Sequence, residues 1–337
     1  MRIVTFAGPG KHRGLQYGQA CAAEIASAAT ALKTHLAGAG HPPGPLGARL
    51  MGSPLVRAAA EYTPDLWDEV TALANGARVP IEDVLLLTFL DEVWALTRTT
   101  AAPGCSVIAR TIGHTTEIGQ TMDLPDWTVG RSMVLRTGSD RAPTALVMAY
   151  PGLIGLCGAN EAGLGVAVNA LSYLPLDEEG LGVAFITRHL LTLTTLAQAE
   201  SFLTAVPHAA GQSYTVAASD GIATFEASAA GVHRVGSTDS TALIHTNHSL
   251  AAVDGVVARR PDESSRERLE VLRSCIEQGT SLADALTGDV VLDGRRWGDT
   301  NLTFAAFRAV GSESVVRFID GAKLRGGRHE WSRFSYR

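Results

Sequence analysis

The hydrophobic pattern of the first hundred residues has the period of a helix. Residues 14–38 are rich in alanine and place apolar side chains three and four positions apart. The dipeptide Thr63-Pro64 is typical of a helix start, and the pattern after it continues to about residue 78. A further amphipathic stretch covers residues 81–97. The sequence therefore predicts a helical N-terminal segment, which we assign to residues 1–104.

From residue 105 onward the pattern changes to short apolar runs separated by turn residues, which is typical of β-strands. The predicted strands cover residues 105–110, 117–123, 132–137, 144–150, 165–170, 214–218, 224–227, 242–246, 302–310 and 314–320. The predicted helices among them cover residues 184–193, 196–206 and 264–278. This order of elements favours an α+β fold with antiparallel sheets over a doubly wound fold. We assign residues 105–337 to this core.

Composition and charge narrow the class of protein. Hydrophobic residues make up 46% of the chain and charged residues 18%, which is typical of a globular protein. The net charge of -6 provides no basic field for a polyanion, so we expect no nucleic-acid partner. We interpret the locally basic residues 323–337 as a solvated C-terminal tail. No run reaches the roughly 18 apolar residues of a membrane span, and the N-terminal apolar run is too short for a signal peptide. We therefore expect no membrane partner and a cytoplasmic location.

The cysteines, histidines and glycines give no signal for a metal or a cofactor. The four cysteines are widely spaced, without a CxxC pair: Cys21, Cys105, Cys157 and Cys275. This spacing indicates neither a disulfide framework nor a thiolate zinc site. His245 and His248 are three residues apart, but no HExxH motif accompanies them. The glycine-rich residues 152–165 contain neither GxGxxG nor GxxxxGK[ST]. We therefore expect no metal and no cofactor.

The candidate chemistry begins at Gly104-Cys105, where the first predicted strand opens. Taken alone, this cysteine reads as a small buried hydrophobe. However, Asp123 ends the next predicted strand, and a hairpin would return it to the neighbourhood of Cys105. Further polar segments follow in the order Asn160 to Asn169, Thr224 to Ser228 and His245-Thr-Asn-His248. Together these segments suggest a cysteine nucleophile with polar partners.

In this order, the segments resemble the acyl-coenzyme A:6-aminopenicillanate acyltransferase family of N-terminal-nucleophile (Ntn) hydrolases. The Gly104-Cys105 junction and the segments 120–123, 160–169 and 245–248 carry the resemblance. It implies a four-layer αββα sandwich of two antiparallel sheets, made as an inactive precursor. It also implies that Cys105 attacks the Gly104 carbonyl, that an acyl shift from nitrogen to sulfur follows, and that water then releases the preceding segment. The new chain would begin at Cys105.

An N-terminal cysteine has a chemical advantage over an internal one. A free thiol has a pKa of about 8.5 and is mostly protonated at neutral pH. A free α-amino group has a pKa near 8, so part of it is a base at neutral pH. The same residue then carries both the nucleophile and its base.

The resemblance also implies roles for other residues. Asn169 and Asn247 would donate hydrogen bonds to the oxyanion, Asp123 would hold the Cys105 amino group or the substrate, and Ser228 would serve in processing. The alternatives are that the two asparagines bind backbone at turns or strand ends, that Asp123 caps a turn before Pro125, and that Ser228 is an ordinary exposed hydroxyl.

Two departures from the relatives leave the substrate open. Bile-salt hydrolases and penicillin V acylases carry an arginine where this chain has Thr121, which favours the acyltransferase branch. The acyltransferase has a functional serine near the position of Arg296-Trp297-Gly298, where this chain has none. Four apolar or aromatic residues are candidate walls of the substrate pocket, from their position alone: Leu124, Trp127, Tyr150 and Tyr173.

The sequence thus predicts an amidohydrolase or N-acyltransferase that acts on a small acyl amide through a Cys105 thioester. In the transfer reaction, an acyl-CoA or an amine would be the co-substrate. Cleavage between Gly104 and Cys105 would give an α/β heterodimer from one gene. The alternative from a different class is an unprocessed Ntn-fold protein that acts as a binding or scaffold module.

Overall fold

The structure, a computed structural model, describes residues 1–97, 104–236, 241–251, 263–292, 301–311, 313–327 and 329–337. The chain opens with a strand, β1 (Arg2–Ala7), and not with a helix. The helices that follow are α1 (Gly10–Ala20), α2 (Ala22–Gly38), α3 (Pro43–Met51), α4 (Pro54–Tyr62), α5 (Pro64–Ala77), α6 (Ile81–Thr88) and α7 (Leu90–Thr97). The prediction of an all-helical N-terminal segment is therefore wrong at residues 2–7.

The remaining described residues are mostly strands. These are β2 (Cys105–Ile112), β3 (Thr115–Pro125), β4 (Met133–Ser139), β5 (Ala142–Ala149), β6 (Cys157–Asn160), β7 (Gly165–Ala170), β8 (Gln212–Ala218), β9 (Gly221–Ser228), β10 (Gly231–Val235), β11 (Ala242–His245), β12 (Asn301–Val310), β13 (Val315–Asp320) and β14 (Ser332–Ser335). The helices are α8 (Val183–Leu190), α9 (Leu196–Ala205), α10 (Glu263–Glu277), α11 (Leu282–Leu286), α12 (Asp289–Leu292) and α13 (Gly321–Arg325).

The described strands form two sheets. The larger has the order β1-β4-β5-β6-β7-β8-β9-β10, and the smaller has the order β11-β2-β3-β12-β13-β14. Strands β2 and β3 of the smaller sheet contact β7 and β8 of the larger one, so the two sheets pack face to face. Helices α8 and α9 contact the outer side of the larger sheet, while α10 and α11 contact the smaller sheet. The predicted α+β sandwich with αββα layers is confirmed.

One strand pair differs from the prediction of two antiparallel sheets. β1 runs parallel to β4, with Ile3 opposite Val134. A parallel neighbour needs a long connection, because the chain must return to the same end of the sheet. Here the whole N-terminal helical segment and the β2–β3 hairpin lie between the two strands. The N-terminal segment is thus part of the larger sheet.

A buried ion-pair cluster also ties the N-terminal segment to the core. The Glu69 carboxylate in α5 pairs with Arg13 in α1 at 2.6 Å and with Arg188 in α8 at 3.5 Å. Arg188 also donates to the Thr137 hydroxyl at 2.9 Å. Removing one partner of such a cluster would leave an uncompensated buried charge, which is costly. These contacts join residues on both sides of position 104.

The C-terminal residues are more ordered than the predicted solvated tail. Residues 321–325 form α13, and residues 332–335 form the edge strand β14. β14 pairs with β13, and Arg333 lies opposite Arg317. Arg325 donates a hydrogen bond to the carbonyl of Thr303. The prediction of a solvated C-terminal tail is therefore wrong, because basic residues of this segment lie on an edge strand and a short helix.

The β2–β3 hairpin positions the candidate nucleophile. Gly113 has a φ of 60° at the turn, a left-handed conformation that glycine adopts without strain. The hairpin register places Cys105 opposite Met122. Both strands lie in the middle of the smaller sheet and are almost entirely buried near Cys105.

None of the described helices is long and apolar enough to cross a membrane.

Candidate active site

Cys105 begins β2 with its side chain buried, and only 4% of the residue is exposed. The ladder continues one residue beyond it, since the Asp123 N–H donates to the Gly104 carbonyl at 2.6 Å. The Asp123 carboxylate also lies against Gly104. A Cβ atom placed on Gly104 would be 2.5 Å from Asp123 Oδ2. The peptide bond before Cys105 is therefore held from one side by both the backbone and the side chain of Asp123.

The surroundings of Cys105 favour the protonated thiol in the intact chain. Burial, followed by the negative charge of Asp123, raises the pKa of the Cys105 thiol to about 12. The positive charge of Arg268 and a hydrogen bond from Gln120 act in the opposite direction, but they do not offset the burial. The thiolate is the reactive form, so an intact chain at neutral pH holds almost none of the nucleophile.

The two predicted asparagines meet at Cys105. Asn247, which follows β11, accepts the Cys105 N–H through Oδ1 at 2.7 Å and donates through Nδ2 to the Ala170 carbonyl at 3.2 Å. Asn169 in β7 donates through Nδ2 to the Cys105 carbonyl at 3.0 Å and to the His245 carbonyl at 3.4 Å. In the intact chain both amides thus bind backbone groups. Their roles as oxyanion donors stay a prediction.

Arg268 is a further site residue that the sequence pattern did not single out. It lies in α10 and is 3% exposed. Its Nη1 donates to the Cys105 carbonyl at 2.6 Å and to the Ser106 hydroxyl at 3.0 Å, and its Nη2 donates to Asn247 Oδ1 at 3.1 Å. One guanidinium therefore positions both the backbone of Cys105 and the amide that holds its N–H.

Ser265 joins α10 to the segment after β11. Its hydroxyl accepts the Asn247 N–H at 2.8 Å and lies 2.8 Å from His248 Nδ1, and its carbonyl accepts the Thr246 hydroxyl at 2.9 Å. Burial and the nearby positive charge of Arg266 lower the pKa of His248 to about 4, so His248 is neutral at pH 7. No cluster of three or more metal-binding side chains occurs within the described ranges.

A small cavity of about 20 Å³ lies beside the thiol, which is room for about one water molecule in the intact chain. Its walls include Cys105 and two of the predicted wall residues, Leu124 and Tyr150. Leu90 and Trp94 of α7 complete the lining on the side of the N-terminal segment. The lining of this cavity is thus mostly apolar, with the candidate nucleophile in its wall.

Comparison with known families decides the relationship that this geometry suggests. The model of the acyl-coenzyme A:6-aminopenicillanic acid acyl-transferase family matches residues 115–288, which is more than half of the chain. The chain belongs to this acyl-transferase family. Membership supports an Ntn-fold amidohydrolase or acyltransferase that acts on amide bonds.

Among solved structures, the acyl-transferase-family chain is similar to two hydrolases. One is a mutant conjugated bile acid hydrolase from Clostridium perfringens, with 12% identity over 69% of this chain and 97% of that chain, and a TM-score of 0.39. The other is a penicillin V acylase from Agrobacterium tumefaciens, with 14% identity over 64% of this chain and 82% of that chain, and a TM-score of 0.43. Both likenesses are distant. A search of curated proteins found none that matches.

The other two predicted wall residues of this acyl-transferase-family chain do not line the cavity. The rings of Trp127 and Tyr150 pack edge to face, with centroids 5.2 Å apart. Trp127 therefore contacts a wall residue without lining the cavity itself. The Tyr173 hydroxyl accepts the N–H of Ser249. Tyr173 therefore braces the segment after His248. Whether either residue affects substrate binding stays a prediction.

Ser228 lies apart from the contacts around Cys105. It ends β9, and its hydroxyl accepts the Ala230 N–H at 3.2 Å. It lines a different cavity, together with Asp177 and His208. The side chain is buried, so the alternative of an ordinary exposed hydroxyl does not hold. Its role in processing stays a prediction.

The two departures from the relatives lie at Thr121 and at Arg296-Trp297-Gly298. The Thr121 hydroxyl is buried and donates to the Leu286 carbonyl at 2.8 Å. Thr121 therefore has a packing role between β3 and α11. The segment Arg296-Trp297-Gly298 lies outside the described residues.

Glu226 in β9 is a second site residue that no sequence motif indicated. Its carboxylate and the His245 imidazole are both fully buried and lie 2.8 Å apart. It also accepts the backbone N–H groups of Leu250 at 2.6 Å and Ala251 at 3.1 Å, together with the hydroxyl of Ser249. Glu226 therefore fixes both ends of the turn that carries Asn247.

We expect Glu226→Gln to lower the free energy of unfolding by about 2 kcal/mol, because charge-assisted hydrogen bonds become neutral ones. Burial raises the pKa of Glu226, but hydrogen bonds from His245, Leu250 and Ser249 bring it below its usual value. A lowered carboxylate pKa stabilises the fold above the unfolded-state pKa of about 4.3, and this stabilisation disappears as the pH falls through the folded-state pKa.

Urea unfolding of wild type and Glu226→Gln should therefore show the full difference in the free energy of unfolding, or stability gap, at pH 7. The gap should be smaller below about pH 4. The matched control is Glu200→Gln, since Glu200 forms a half-exposed ion pair with Arg234 and should contribute little. A gap that stays constant from pH 7 to pH 3 would contradict the assignment.

Proposed function

We propose that this chain is a self-processing cysteine amidohydrolase or N-acyltransferase, in which cleavage of the Gly104–Cys105 bond makes Cys105 the N-terminal nucleophile. One observation carries the proposal: the carbonyl and the N–H of this peptide bond are both hydrogen-bonded. The Asp123 N–H donates to the Gly104 oxygen at 2.6 Å, and Asn247 Oδ1 accepts the Cys105 N–H at 2.7 Å. An ordinary strand start would explain the first contact but not the second.

Processing starts when the Cys105 sulfur attacks the Gly104 carbonyl carbon. The carbonyl oxygen gains negative charge, and the Asp123 N–H, which already donates to this oxygen, would stabilise it. The C–N bond breaks as its nitrogen takes up a proton, which leaves a thioester between Gly104 and the Cys105 sulfur and a free α-amine on Cys105. Water then hydrolyses the thioester, which gives a Gly104 carboxylate and regenerates the thiol.

Asp123 is the candidate proton acceptor for this step, because its charge acts directly on the thiol. The raised thiol pKa makes the first attack slow, since little thiolate forms. A slow single event is sufficient for processing, whereas repeated turnover needs a stronger base. That base is the α-amine, which exists only after the cut.

In the processed enzyme, Asn247 Oδ1 would accept from the new amine, and the Asp123 carboxylate would face the space that Gly104 leaves. The amine takes the thiol proton, the thiolate attacks the substrate carbonyl, and the leaving amine departs with that proton. The resulting thioester is resolved by water in hydrolysis or by a second amine in transfer. The mostly apolar lining beside Cys105 suits the acyl part of a small acyl amide.

The two products of processing, residues 1–104 and 105–337, would remain together as an α/β heterodimer. β1 is bonded to β4 of the other fragment, and Arg13 in one fragment and Arg188 in the other pair with the same buried Glu69. Gel filtration without denaturant should give one peak that contains both fragments. Two separate peaks would contradict the heterodimer.

The decisive experiment is the intact mass of freshly purified wild type under denaturing conditions, beside Cys105→Ala and the control Cys275→Ala. We expect two fragments from wild type and Cys275→Ala, the larger one starting at Cys105, and a single 35.4 kDa chain from Cys105→Ala. Processed protein is then tested on a panel of small acyl amides. An uncut wild type after long incubation would reject the mechanism and favour the binding or scaffold protein.

A further inference from the structure

The side chain of Gln120 is fully buried between the two sheets, beside the candidate nucleophile. Gln120 lies in β3, and the hairpin register puts it opposite Val107, two residues along the strand from Cys105. Residues two apart on a strand point to the same face of a sheet, as do residues opposite each other on paired strands. Gln120 and Cys105 therefore share the face of the smaller sheet that packs against β7.

Both polar atoms of the Gln120 amide reach the backbone of Val168 in β7. Gln120 Oε1 accepts the Val168 N–H at 2.9 Å, and Gln120 Nε2 donates to the Val168 carbonyl. In the β6–β7 ladder the last paired residue is Val166, so Val168 lies beyond it and Gln120 takes the place of a strand neighbour. The contacts also fix the orientation of the amide, because a flipped amide would put a donor against the Val168 N–H.

One hydrogen of the Gln120 amide remains after these two contacts. A primary amide nitrogen carries two hydrogens, and the Val168 carbonyl accepts one of them. Burial raises the pKa of the Cys105 thiol, and a hydrogen bond from the Gln120 side chain acts in the opposite direction. The second hydrogen of Gln120 Nε2 therefore goes to the Cys105 sulfur, which is the atom that would react.

We propose that Gln120 holds the Cys105 sulfur in position for the reaction and stabilises its thiolate, through the second hydrogen of Nε2. The proposal rests on the proposed function, since it adds a residue to the reaction of the same nucleophile. A hydrogen bond to a charged acceptor is roughly twice as strong as one between neutral groups, so this contact strengthens when the sulfur loses its proton. Because the amide is neutral, it adds no buried charge to the site.

Strand β7 holds the backbone of Cys105 as well as its sulfur. Asn169 follows Val168 in β7 and donates to the Cys105 carbonyl at 3.0 Å. Gln120 thus fixes the sulfur to a strand whose next residue fixes the carbonyl of the same cysteine. Since Val168 locks the Gln120 amide, its second N–H needs no reorganisation when charge forms on the sulfur. This arrangement would serve both the attack on Gly104 and the attack on a substrate.

Two substitutions separate the contact with sulfur from the contacts with Val168. Burial favours the neutral form of a carboxyl group, so the side chain introduced by Gln120→Glu should be an uncharged acid. An uncharged acid has one acceptor oxygen and one O–H, which match the Val168 N–H and carbonyl, but it has no second hydrogen for the sulfur. Gln120→Met keeps the length of the side chain and removes all three contacts.

We expect Gln120→Glu and Gln120→Met to slow the cut at Gly104–Cys105 by a similar factor of roughly ten or more, because both lose a charge-assisted hydrogen bond to the sulfur. Only Gln120→Met should also lower the melting temperature, since it leaves Val168 unpaired. The control Gln198→Glu makes the same change on the exposed side of α9 and should change neither quantity. Intact mass against time and thermal unfolding give the two quantities. A Gln120→Glu chain that is cut at the wild-type rate would overturn the proposal and leave Gln120 as a brace for β7.

The pH dependence of turnover is a readout that a purely structural glutamine would not change. In the processed enzyme, the rise of kcat/KM with pH should move to higher pH in Gln120→Met, because the thiolate loses a donor. Gln198→Met makes the same change on α9 and should leave the profile in place. An unmoved profile in Gln120→Met would overturn the proposal.

A wild type that stays uncut would reject the proposed function, and the contact is then tested without any reaction. Labelling the side-chain amides of the six glutamines with ¹⁵N gives one pair of proton signals for each, and the pair missing from Gln120→Glu belongs to Gln120. Cys105→Ala should shift one proton of this pair and leave the other, which the Val168 carbonyl binds. The control Cys275→Ala, in α10, should shift neither. A pair that does not respond to Cys105→Ala would overturn the proposal.

Discussion

Gly104→Ala should leave the chain uncut, with release of the N-terminal segment slowed by at least about a hundredfold. The added Cβ would lie 2.5 Å from Asp123 Oδ2, which is closer than a carbon and an oxygen can approach. The carboxylate is the far end of a side chain, so it is the group that moves. Its movement takes the proton acceptor that we assign to Asp123 away from the Gly104–Cys105 bond.

The effect of Gly104→Ala is separable from a general loss of folding. Gly38→Ala is the matched control, because a Cβ there meets no atom within 4 Å. Intact mass against time gives the processing rate of both variants, and thermal unfolding gives their stability. A Gly104→Ala chain that is cut at the wild-type rate would contradict the role of this contact. A normal melting temperature with a slow cut would locate the defect at the peptide bond itself.

The hairpin that carries Cys105 could be predicted because its signals are local. Strands at residues 105–110 and 117–123 follow from apolar runs around a glycine turn, and the structure has them at Cys105–Ile112 and Thr115–Pro125. The missed strands lack local signals. β1 has six residues, and its partner β4 lies more than 120 residues further along the chain. Only that partner makes it a strand.

The hydrophobic pattern could not predict two breaks between helices, for a related reason. The pattern of residues 81–97 predicts one helix, but the structure has two, which end and begin around Phe89. Residues 14–38 likewise divide at Cys21, whose backbone leaves the helical region with a φ of -127° and a ψ of 22°. Both halves of each pair bury apolar residues in the same core. The periodicity therefore continues across the break and cannot reveal it.

The residues of the candidate site could be predicted in part, but their mutual contacts could not. The family resemblance indicated Cys105, Asp123, Asn169 and Asn247, and the structure brings all four together. The pattern alone could not give their mutual contacts, because these join strands far apart in sequence.

Arg268 and Glu226 belong to no motif, because each lies in an ordinary helix or strand. Arg268 shares the buried face of α10 with Leu269 and Leu272, and Glu226 interrupts the apolar strand β9. A charged side chain on a buried face was the available signal, since such residues are rarely buried without a partner.

Arg268→Gln is the second substitution with a large expected effect. The wild-type guanidinium donates to the Cys105 carbonyl, the Ser106 hydroxyl and Asn247 Oδ1. Its loss leaves three buried acceptors with fewer donors, so we expect the free energy of unfolding to fall by about 3 kcal/mol. The processing rate should fall by about a hundredfold or more, because Asn247 is no longer fixed beside the Cys105 N–H.

Arg268→Lys and Arg273→Gln separate the charge from the geometry. Lysine keeps the positive charge but cannot reach three acceptors with a planar fork. Arg268→Lys should therefore recover most of the stability and only part of the rate. Arg273 lies on the exposed face of the same helix, where it pairs with Glu270, and its replacement should change neither quantity.

The pH dependence gives a readout that a purely structural arginine would not change. The positive charge of Arg268 lowers the pKa of the Cys105 thiol, so its removal raises that pKa. In the processed enzyme, the rise of kcat/KM with pH should then move to higher pH in Arg268→Gln and stay in place in Arg273→Gln. An unshifted profile, with a rate that falls only in proportion to the folded fraction, would show that Arg268 serves stability alone. A shifted profile would make it the residue that holds the nucleophile in position and tunes its charge, on a helix that no motif marks.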